Sequence, residues 1–203
     1  MNRTQPTADF AFAILAGGKS SRMGVSKAGV TLADGKSFFD HVFKHARELG
    51  MDCIAVGHVE GIDAEAYPDL HVQPDQVTDR GPVGALLGLF SSGRALHYLV
   101  VACDQPLLTT NLLRRLLDVA DNRPSVFCDP QQERVFPLPG LYPAGGISIV
   151  QNLLLKPSAS LRELLEVSNA RKIPLNEYDR ELLRGANTPQ DVADLNAKLR
   201  ALR

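Results

Sequence analysis

The stretch that decides the fold is FAFAIL, residues 10–15, which runs without a break into AGGKSSRMGVSK, residues 16–27. The first part is a short apolar run of the kind that forms a buried β-strand. The second part has glycines at positions 17, 18 and 24, whose backbone N–H groups can approach an anion closely. Arg22 and Lys27 add fixed positive charge to the same segment. A strand followed by such a loop predicts a binding site for phosphate groups.

This loop follows neither of two common phosphate-binding patterns. A P-loop has four residues between its first glycine and a Gly-Lys-Ser/Thr triplet, but Ala13 stands where that glycine would precede Gly18-Lys19-Ser20. The glycine spacing also differs from the G-x-G-x-x-G of dinucleotide-binding folds. The residues therefore indicate phosphate binding by a loop of another class.

Along the rest of the chain, strand-like apolar runs alternate with segments of helical periodicity. We expect strands over residues 10–15, 53–57, 98–103, 125–128 and 135–142, the last confined by its prolines to an edge or irregular strand. We expect helices within 37–50, 82–91, 110–117, 160–167 and 188–199, with Ser37, Thr110 and Thr188 as N-caps and Gly50 ending the first. This alternation predicts a three-layer α/β fold with a mainly parallel sheet.

The composition indicates the cellular compartment and excludes one class of binding partner. The 203 residues are 44% hydrophobic, enough for one substantial core, and a net charge of -1 provides no field for holding nucleic acid. Cys53, Cys103 and Cys128 lack the paired spacing of metal sites, so we expect buried reduced thiols. Neither a signal peptide nor a membrane span is visible. We therefore expect a cytoplasmic protein with a disordered segment at 1–9 and a single domain at 10–203.

Two histidines have the spacing of a metal pair. His41 and His45 lie four residues apart on the first expected helix, a separation that can bind zinc. No third ligand is near them in the sequence, and the helix is expected at the periphery. We therefore predict that both histidines lie on a solvated face.

A carboxylate follows the third expected strand. Asp104-Gln105-Pro106 comes directly after the apolar run 98–103, and open α/β sheets bind their ligands at the carboxyl ends of strands. Asp104 there can hold Mg²⁺, a hard cation that takes carboxylate oxygens and bridges phosphate groups. An aspartate close to a proline is also a common turn or helix cap. The residues alone leave both roles open.

Taken together, L-A-G-G-x-S-x-R-M-G-x-x-K from Leu15 to Lys27 resembles the signature loop of the MobA-like nucleotidyltransferases. The resemblance extends from Phe10 to Leu199 and is specific in this loop. It implies a three-layer, Rossmann-like nucleotidyltransferase fold and transfer of a nucleoside monophosphate from an NTP to a phosphate-bearing acceptor. For the molybdenum cofactor guanylyltransferases of this family, it implies GTP as donor, molybdopterin as acceptor, Mg²⁺ as cofactor, and molybdenum-cofactor carrier or acceptor enzymes as partners.

The resemblance also implies roles for individual residues. Catalysis would fall to Arg22, Lys27 and Asp104, of which Asp104 matches the magnesium-binding aspartate of the family's D-x-P motif. Asn187, in Asn187-Thr188-Pro189, would border the acceptor. Gly18 favours GTP, because cytidine-using relatives tend to carry alanine there. The implied nucleotide-binding residues are Leu15, Ala16, Gly17, Gly18, Lys27, Asp75 and Asp104, with Asp75 contacting the base.

Three positions depart from the family's pattern. Gly57-His58 stands where an asparagine usually follows the second strand, Gly185 replaces another asparagine, and Phe136-Pro137 replaces a His-Pro pair. Each change lies nearer the acceptor or the sugar than the triphosphate. These departures leave open the alternative that the chain is a related transferase that uses CTP as donor or another phosphate-bearing acceptor. A further alternative, from another class of protein, is a noncatalytic nucleotide-binding partner.

Overall fold

The computed structural model describes residues 8–16, 27–57, 62, 64–74, 77 and 80–201. The strands are β1 (Ala8–Leu15), β2 (Cys53–Val56), β3 (Leu70–Gln73), β4 (Ala95–Ala102), β5 (Ser125–Asp129), β6 (Arg134–Pro143) and β7 (Arg171–Pro174). The α-helices are α1 (Phe38–Leu49), α2 (Gly81–Ser92), α3 (Thr110–Leu117), α4 (Ile147–Leu154), α5 (Leu161–Val167), α6 (Glu177–Leu182) and α7 (Pro189–Ala201). None of the helices in these ranges is long and apolar enough to cross a membrane.

The seven strands form one sheet in the order β3-β2-β1-β4-β6-β5-β7. β1 pairs in parallel with both β2 and β4, β3 is parallel to β2, and β7 is parallel to β5. β6 runs antiparallel to its two neighbours, β4 and β5. The predicted α/β fold with a mainly parallel mixed sheet is confirmed, whereas β3, β7, α4 and α6 were not expected from the sequence.

Helices cover both faces of the sheet. Alternate residues of β1 point to opposite sides: Phe12 and Ile14 join one apolar cluster with α1, α3 and the end of α6, and Ala11 and Ala13 join another with α2, α4 and α5. The three layers follow from this alternation.

β1 starts at Ala8, so the strand extends two residues into the segment predicted to be disordered, and residues 1–7 lie outside the described ranges.

The first helix begins and ends where the sequence predicts. The Ser37 hydroxyl accepts the Asp40 N–H at 3.0 Å, and the Asp40 carboxylate accepts the Ser37 N–H at 2.7 Å, which is a capping box. Gly50 closes the helix in the left-handed conformation, with φ of 65°. For α3 the prediction is wrong by one residue, because Thr109 is the N-cap and accepts the Leu112 N–H at 3.3 Å.

His41 and His45 are buried, which contradicts the predicted solvated face. Their exposed fractions are 4% and 2%. His41 Nε2 lies 3.2 Å from the Asp34 carboxylate, and His45 Nδ1 lies 2.7 Å from the Thr110 hydroxyl. Burial lowers the pKa of His45, which favours the neutral ring. The two histidines therefore join α1 to its neighbours and do not face solvent.

β6 lies inside the sheet, between β4 and β5. Of the two predicted possibilities, it is therefore an irregular strand and not an edge strand. Its ladder with β4 covers residues 140–143, and its ladder with β5 passes from Gly140 to Phe136 across a register shift. Pro137 and Pro139 fall in the skipped stretch, where no ladder hydrogen bond requires an N–H. The Leu138–Pro139 peptide bond is cis.

Gly140 is closely enclosed beside this irregular stretch. A Cβ atom at residue 140 would lie 2.6 Å from the Pro137 carbonyl oxygen and 3.0 Å from Cγ1 of Val126. The Tyr142 hydroxyl donates a hydrogen bond of 2.7 Å to the same Pro137 carbonyl, which limits its movement. Glycine is therefore the residue that fits at this point of β6.

The last helix packs on the turn that follows the glycine-rich loop. Residues 31 and 37 form an antiparallel bridge, and Leu32 within this turn is buried in a cluster with Leu195 of α7 and with Ala186. The side chain of Asn196 on α7 also accepts the Ala33 N–H at 2.7 Å. We call residues 31–37 the clasped turn, because α7 holds it from one side.

Candidate active site

The carboxyl ends of β1 and β4 meet at the centre of the sheet. Leu15 is paired with Ala102, and the Cys103 N–H donates to the Leu15 carbonyl at 3.3 Å. On the other side, the Ala16 N–H donates to the Val56 carbonyl at 3.0 Å. The start of the glycine-rich loop is therefore fixed between the last residue of β2 and the first residue after β4.

Asp104 lies at this same edge, two residues after Ala102, and is half-buried. The segment before α7 packs against it: the Ala186 N–H donates to the Asp104 carbonyl at 3.0 Å. A Cβ atom at Gly185 would lie 3.2 Å from Oδ1 of Asp104. The glycine that departs from the family pattern thus leaves the carboxylate uncrowded on this side.

Asn187 follows two residues after Gly185 and is exposed. The Asp191 carboxylate accepts the backbone N–H groups of Asn187 and Thr188, each at 2.9 Å, and the Thr188 hydroxyl accepts the Asp191 N–H at 3.2 Å. These bonds, led by the one from Asn187, lower the pKa of Asp191. The predicted N-cap at Thr188 is confirmed, and its reciprocal hydrogen bonds with Asp191 form a capping box, which fixes the backbone of Asn187 at the start of α7.

The junction before α2 differs in detail from the prediction. The helix begins at Gly81, which has φ of 56°, and Pro82 lies in its first turn. The Arg80 guanidinium donates to the carbonyls of Leu154, at 2.6 Å, and Lys156. Arg80 therefore binds the end of α4 to the loop in front of α2.

Two ion pairs hold α6, the helix that leads towards Asn187. Arg115 on α3 donates to Asp179 at 2.5 Å, and Arg180 donates to Asp129 at 2.7 Å. Asp129 is only 2% exposed. Burial acts to raise the pKa of Asp129, but the hydrogen bond and charge of Arg180 and the backbone N–H of Gln131 together outweigh it and hold that pKa below the usual range. α6 is thereby fixed against β5 and α3.

The residues at this edge fit a metal that is shared with phosphate groups. Across the described ranges, no three His, Cys, Asp or Glu side chains are grouped so that they could hold a metal ion. Asp104 supplies one carboxylate beside an uncrowded position at Gly185. Mg²⁺ commonly binds through one or two carboxylates, substrate phosphates and water, so Asp104 can hold it in that manner.

The structure brings together part of the predicted site. Leu15, Ala16, Asp104 and the backbone at Asn187 meet at one edge of the sheet. Lys27 starts a short 3-10 helix at residues 27–29. Gly17, Gly18, Arg22 and Asp75, for which the family resemblance implies roles, lie outside the described residues, and so does the side chain of Lys27.

Gln105 is a residue of this edge that the sequence reasoning named but gave no role. Its side chain is buried next to Asp104 and donates to two main-chain carbonyls, at Leu138 and Leu183. The only signal in the sequence is a polar residue between Asp104 and Pro106, directly after an apolar strand. Such a signal does not predict which groups the side chain contacts.

The sequence matches a family model described as the MobA-like NTP transferase domain over residues 12–173. It is 26% identical to a protein of Flavobacterium johnsoniae named "Probable molybdenum cofactor guanylyltransferase", over 92% of this chain and 96% of that one. It is 28% identical to the molybdenum cofactor guanylyltransferase of Pseudomonas syringae pv. syringae, over 93% and 94% of the two chains.

Solved structures with the same fold include proteins of two different activities. The structure of molybdopterin-guanine dinucleotide biosynthesis protein A from Archaeoglobus fulgidus superposes with a TM-score of 0.76 at 20% identity, covering 94% of this chain and 99% of that one. The 2-C-methyl-D-erythritol 4-phosphate cytidylyltransferase of Thermus thermophilus superposes with a TM-score of 0.69 at 13% identity, covering 94% and 98%. At these identities the likeness establishes the fold.

Proposed function

Because this chain belongs to the MobA-like NTP transferase family, we propose that it transfers GMP from GTP to the phosphate of molybdopterin. A phosphate oxygen of the acceptor attacks the α-phosphorus of GTP, the bond from that phosphorus to the α,β-bridging oxygen breaks, and pyrophosphate leaves. The product is molybdopterin guanine dinucleotide. The named activities of the relatives from Flavobacterium johnsoniae and Pseudomonas syringae support this assignment.

One observation carries the proposal. The glycine-rich loop starts between β2 and β4, and Asp104 and the segment before Asn187 lie at the same sheet edge, linked by the 3.0 Å hydrogen bond from Ala186 to Asp104. A donor nucleotide on the loop and an acceptor beside Asn187 would therefore meet at Asp104. Holding two phosphates in line is the main requirement of nucleotidyl transfer, which needs no covalent enzyme intermediate.

The second requirement is positive charge around the phosphate groups, which we assign to Arg22, Lys27 and a metal ion at Asp104. Arg22 and Lys27, in the glycine-rich loop, would bind the triphosphate through charge-assisted hydrogen bonds. Asp104 would hold Mg²⁺, because nucleotidyltransferases generally use a divalent ion and a hard carboxylate suits this one. Bound Mg²⁺ supplies Lewis-acid stabilisation of the phosphate oxygens. Arg22, Lys27 and the Mg²⁺ held by Asp104 would each offset the negative charge that develops during transfer.

Base recognition is assigned to the loop and to the segment before α2. Gly18 favours guanine over cytosine by the family pattern, and Asp75 would accept hydrogen bonds from the base. Gly84 supports this segment, since a Cβ atom there would lie 3.1 Å from the Val77 carbonyl oxygen. The close approach of α2 to Val77 fixes the backbone two residues after Asp75.

We also propose that the chain forms one domain and acts in the cytoplasm. A single nucleotidyltransferase domain over residues 10–203 is supported by the assembly of the described strands into one sheet. A cytoplasmic location is supported by the three cysteines, which are all free thiols.

Calorimetric titration with GTP, CTP, ATP and UTP, each with Mg²⁺, is expected to show tight binding of GTP alone. The physical reason is that discrimination between bases comes from hydrogen bonds in the pocket, which a base of the wrong pattern leaves unpaired. A preference for CTP would contradict guanylyl transfer while keeping the chemistry. If none of the four nucleotides binds, both nucleotidyl transfer and the alternative of a noncatalytic nucleotide-binding partner are contradicted.

The acceptor is tested separately from the donor. Incubation with GTP, Mg²⁺ and molybdopterin is expected to yield equal amounts of pyrophosphate and a dinucleotide, which chromatography and mass spectrometry can measure. GTP binding without dinucleotide formation would contradict molybdopterin as the acceptor.

A further inference from the structure

Gln105 connects the chain next to Asp104 with the end of α6 and with the irregular stretch of β6. The residue follows Asp104 directly and is only 7% exposed. Its side-chain nitrogen Nε2 donates to the Leu183 carbonyl at 3.0 Å and to the Leu138 carbonyl at 3.3 Å. Leu183 is the C-cap of α6, and Leu138 contributes its carbonyl to the cis peptide of β6. One side chain therefore joins elements that are far apart in the sequence.

The chemistry of the primary amide suits this arrangement. An amide NH₂ group has two donor hydrogens, and two carbonyl acceptors are within reach. The amide orientation is fixed by these acceptors, because a flipped amide would place Oε1 against both carbonyl oxygens. Oε1 is buried and has no hydrogen-bond partner among the described residues. A purely space-filling role would favour an apolar side chain, which leaves no such oxygen unpaired.

The Leu183 carbonyl lies at the start of the segment that reaches Asn187. Gln105 holds this segment at Leu183, and Asp104 holds it three residues later through the hydrogen bond to the Ala186 N–H. Between them, Gly185 lies directly against the Asp104 carboxylate. Two consecutive residues therefore fix residues 183–186 from both ends.

We propose that Gln105 is a positioning residue, which sets residues 183–187 at a fixed distance from Asp104 and so determines where the acceptor phosphate lies relative to the donor. This inference rests on the proposed nucleotidyl transfer. It assigns Gln105 no contact with substrate or metal. Loss of its two donors would loosen the acceptor side, whereas the hydrogen bonds of Leu15 and Ala16 to Cys103 and Val56 would remain.

The test compares Gln105→Met with Tyr142→Phe. Gln105→Met keeps the volume and removes both donors. Tyr142→Phe removes the hydrogen bond from Tyr142 to Pro137, in the same irregular stretch of β6, but does not touch residues 183–187. Gln105→Glu, which is isosteric and also lacks the NH₂ group, serves as a second variant if Gln105→Met does not fold.

For Gln105→Met, we expect kcat/KM for the acceptor to fall about tenfold or more, with the Kd of GTP unchanged within about twofold. For Tyr142→Phe, we expect both quantities to remain at wild-type values, even if its midpoint of urea unfolding falls by as much as that of Gln105→Met. A kcat/KM in the Gln105 variants no lower than in Tyr142→Phe would overturn the positioning role. An equal loss of GTP affinity would also overturn it, because the effect would then be general.

Hydrogen exchange separates this inference from the proposed function. If Gln105 positions the segment, the Ala186 amide should exchange at least about tenfold faster in Gln105→Met than in wild type or Tyr142→Phe, with no substrate present. Unchanged exchange would contradict the positioning role. Failure of the wild-type protein to transfer GMP would contradict the proposed function and leave the exchange result to decide on Gln105.

Discussion

Replacing Asp104 with asparagine is expected to lower kcat for guanylyl transfer about a thousandfold while leaving the protein folded. Metal stabilisation of a reacting phosphoryl group contributes several kcal/mol, and about 1.4 kcal/mol corresponds to a factor of ten in rate. Asparagine keeps the shape of the side chain, and the Ala186 N–H donates to the main chain of Asp104, which the substitution does not alter. Single-turnover kinetics over a range of Mg²⁺ concentrations would measure the effect.

Asp52→Asn is the matched control for this variant. Asp52 is also an aspartate next to a strand, but it precedes β2 and so lies at the amino edge of the parallel strands, away from the proposed site. We expect wild-type kcat in that variant. Wild-type kcat in Asp104→Asn would remove Asp104 from the mechanism.

Gly140→Ala is expected to lower the free energy of unfolding by about 3 kcal/mol, at the upper end of the usual range for overpacking. Its Cβ atom would lie 2.6 Å from the Pro137 carbonyl oxygen and 2.7 Å from Cε2 of Tyr142. Neither neighbour is the free end of a flexible chain, since the Tyr142 ring is buried and its hydroxyl binds Pro137. Urea unfolding followed by circular dichroism would measure the change.

The matched control is Gly145→Ala, five residues further along the chain. A Cβ atom at Gly145 would have no heavy atom within 4 Å. We expect the free energy of unfolding of this variant to stay within about 0.5 kcal/mol of wild type. Equal stability of the two alanine variants would show that β6 can relax around Gly140.

The strands and helices that sequence reasoning found are those with a strong local signal. β1 and β4 are nearly continuous apolar runs because both of their faces are covered by helices. β3 and β7 were missed because each has four residues at an edge of the sheet, with polar and half-exposed side chains. Such strands owe their structure to hydrogen bonds with a neighbour, and these are not visible in a local pattern.

The residues of the site also differ in how far a local sequence pattern predicts them. The position of Asp104 was predictable, because a carboxylate after a buried parallel strand must lie at the ligand-binding edge. The role of Gln105 was not, since its partners at Leu138 and Leu183 are 33 and 78 residues away. The burial of His41 and His45 was missed for a similar reason, because their partners Asp34 and Thr110 come from other segments.

The clasped turn has a consequence for the order in which the protein matures on the ribosome. Leu32 in this turn is covered by Leu195 of α7, and Ala33 is bonded to Asn196. α7 is synthesised after every strand of the sheet. A nascent chain that has completed its sheet therefore still lacks the cover for Leu32, and the clasped turn reaches its final packing only after α7 has been synthesised.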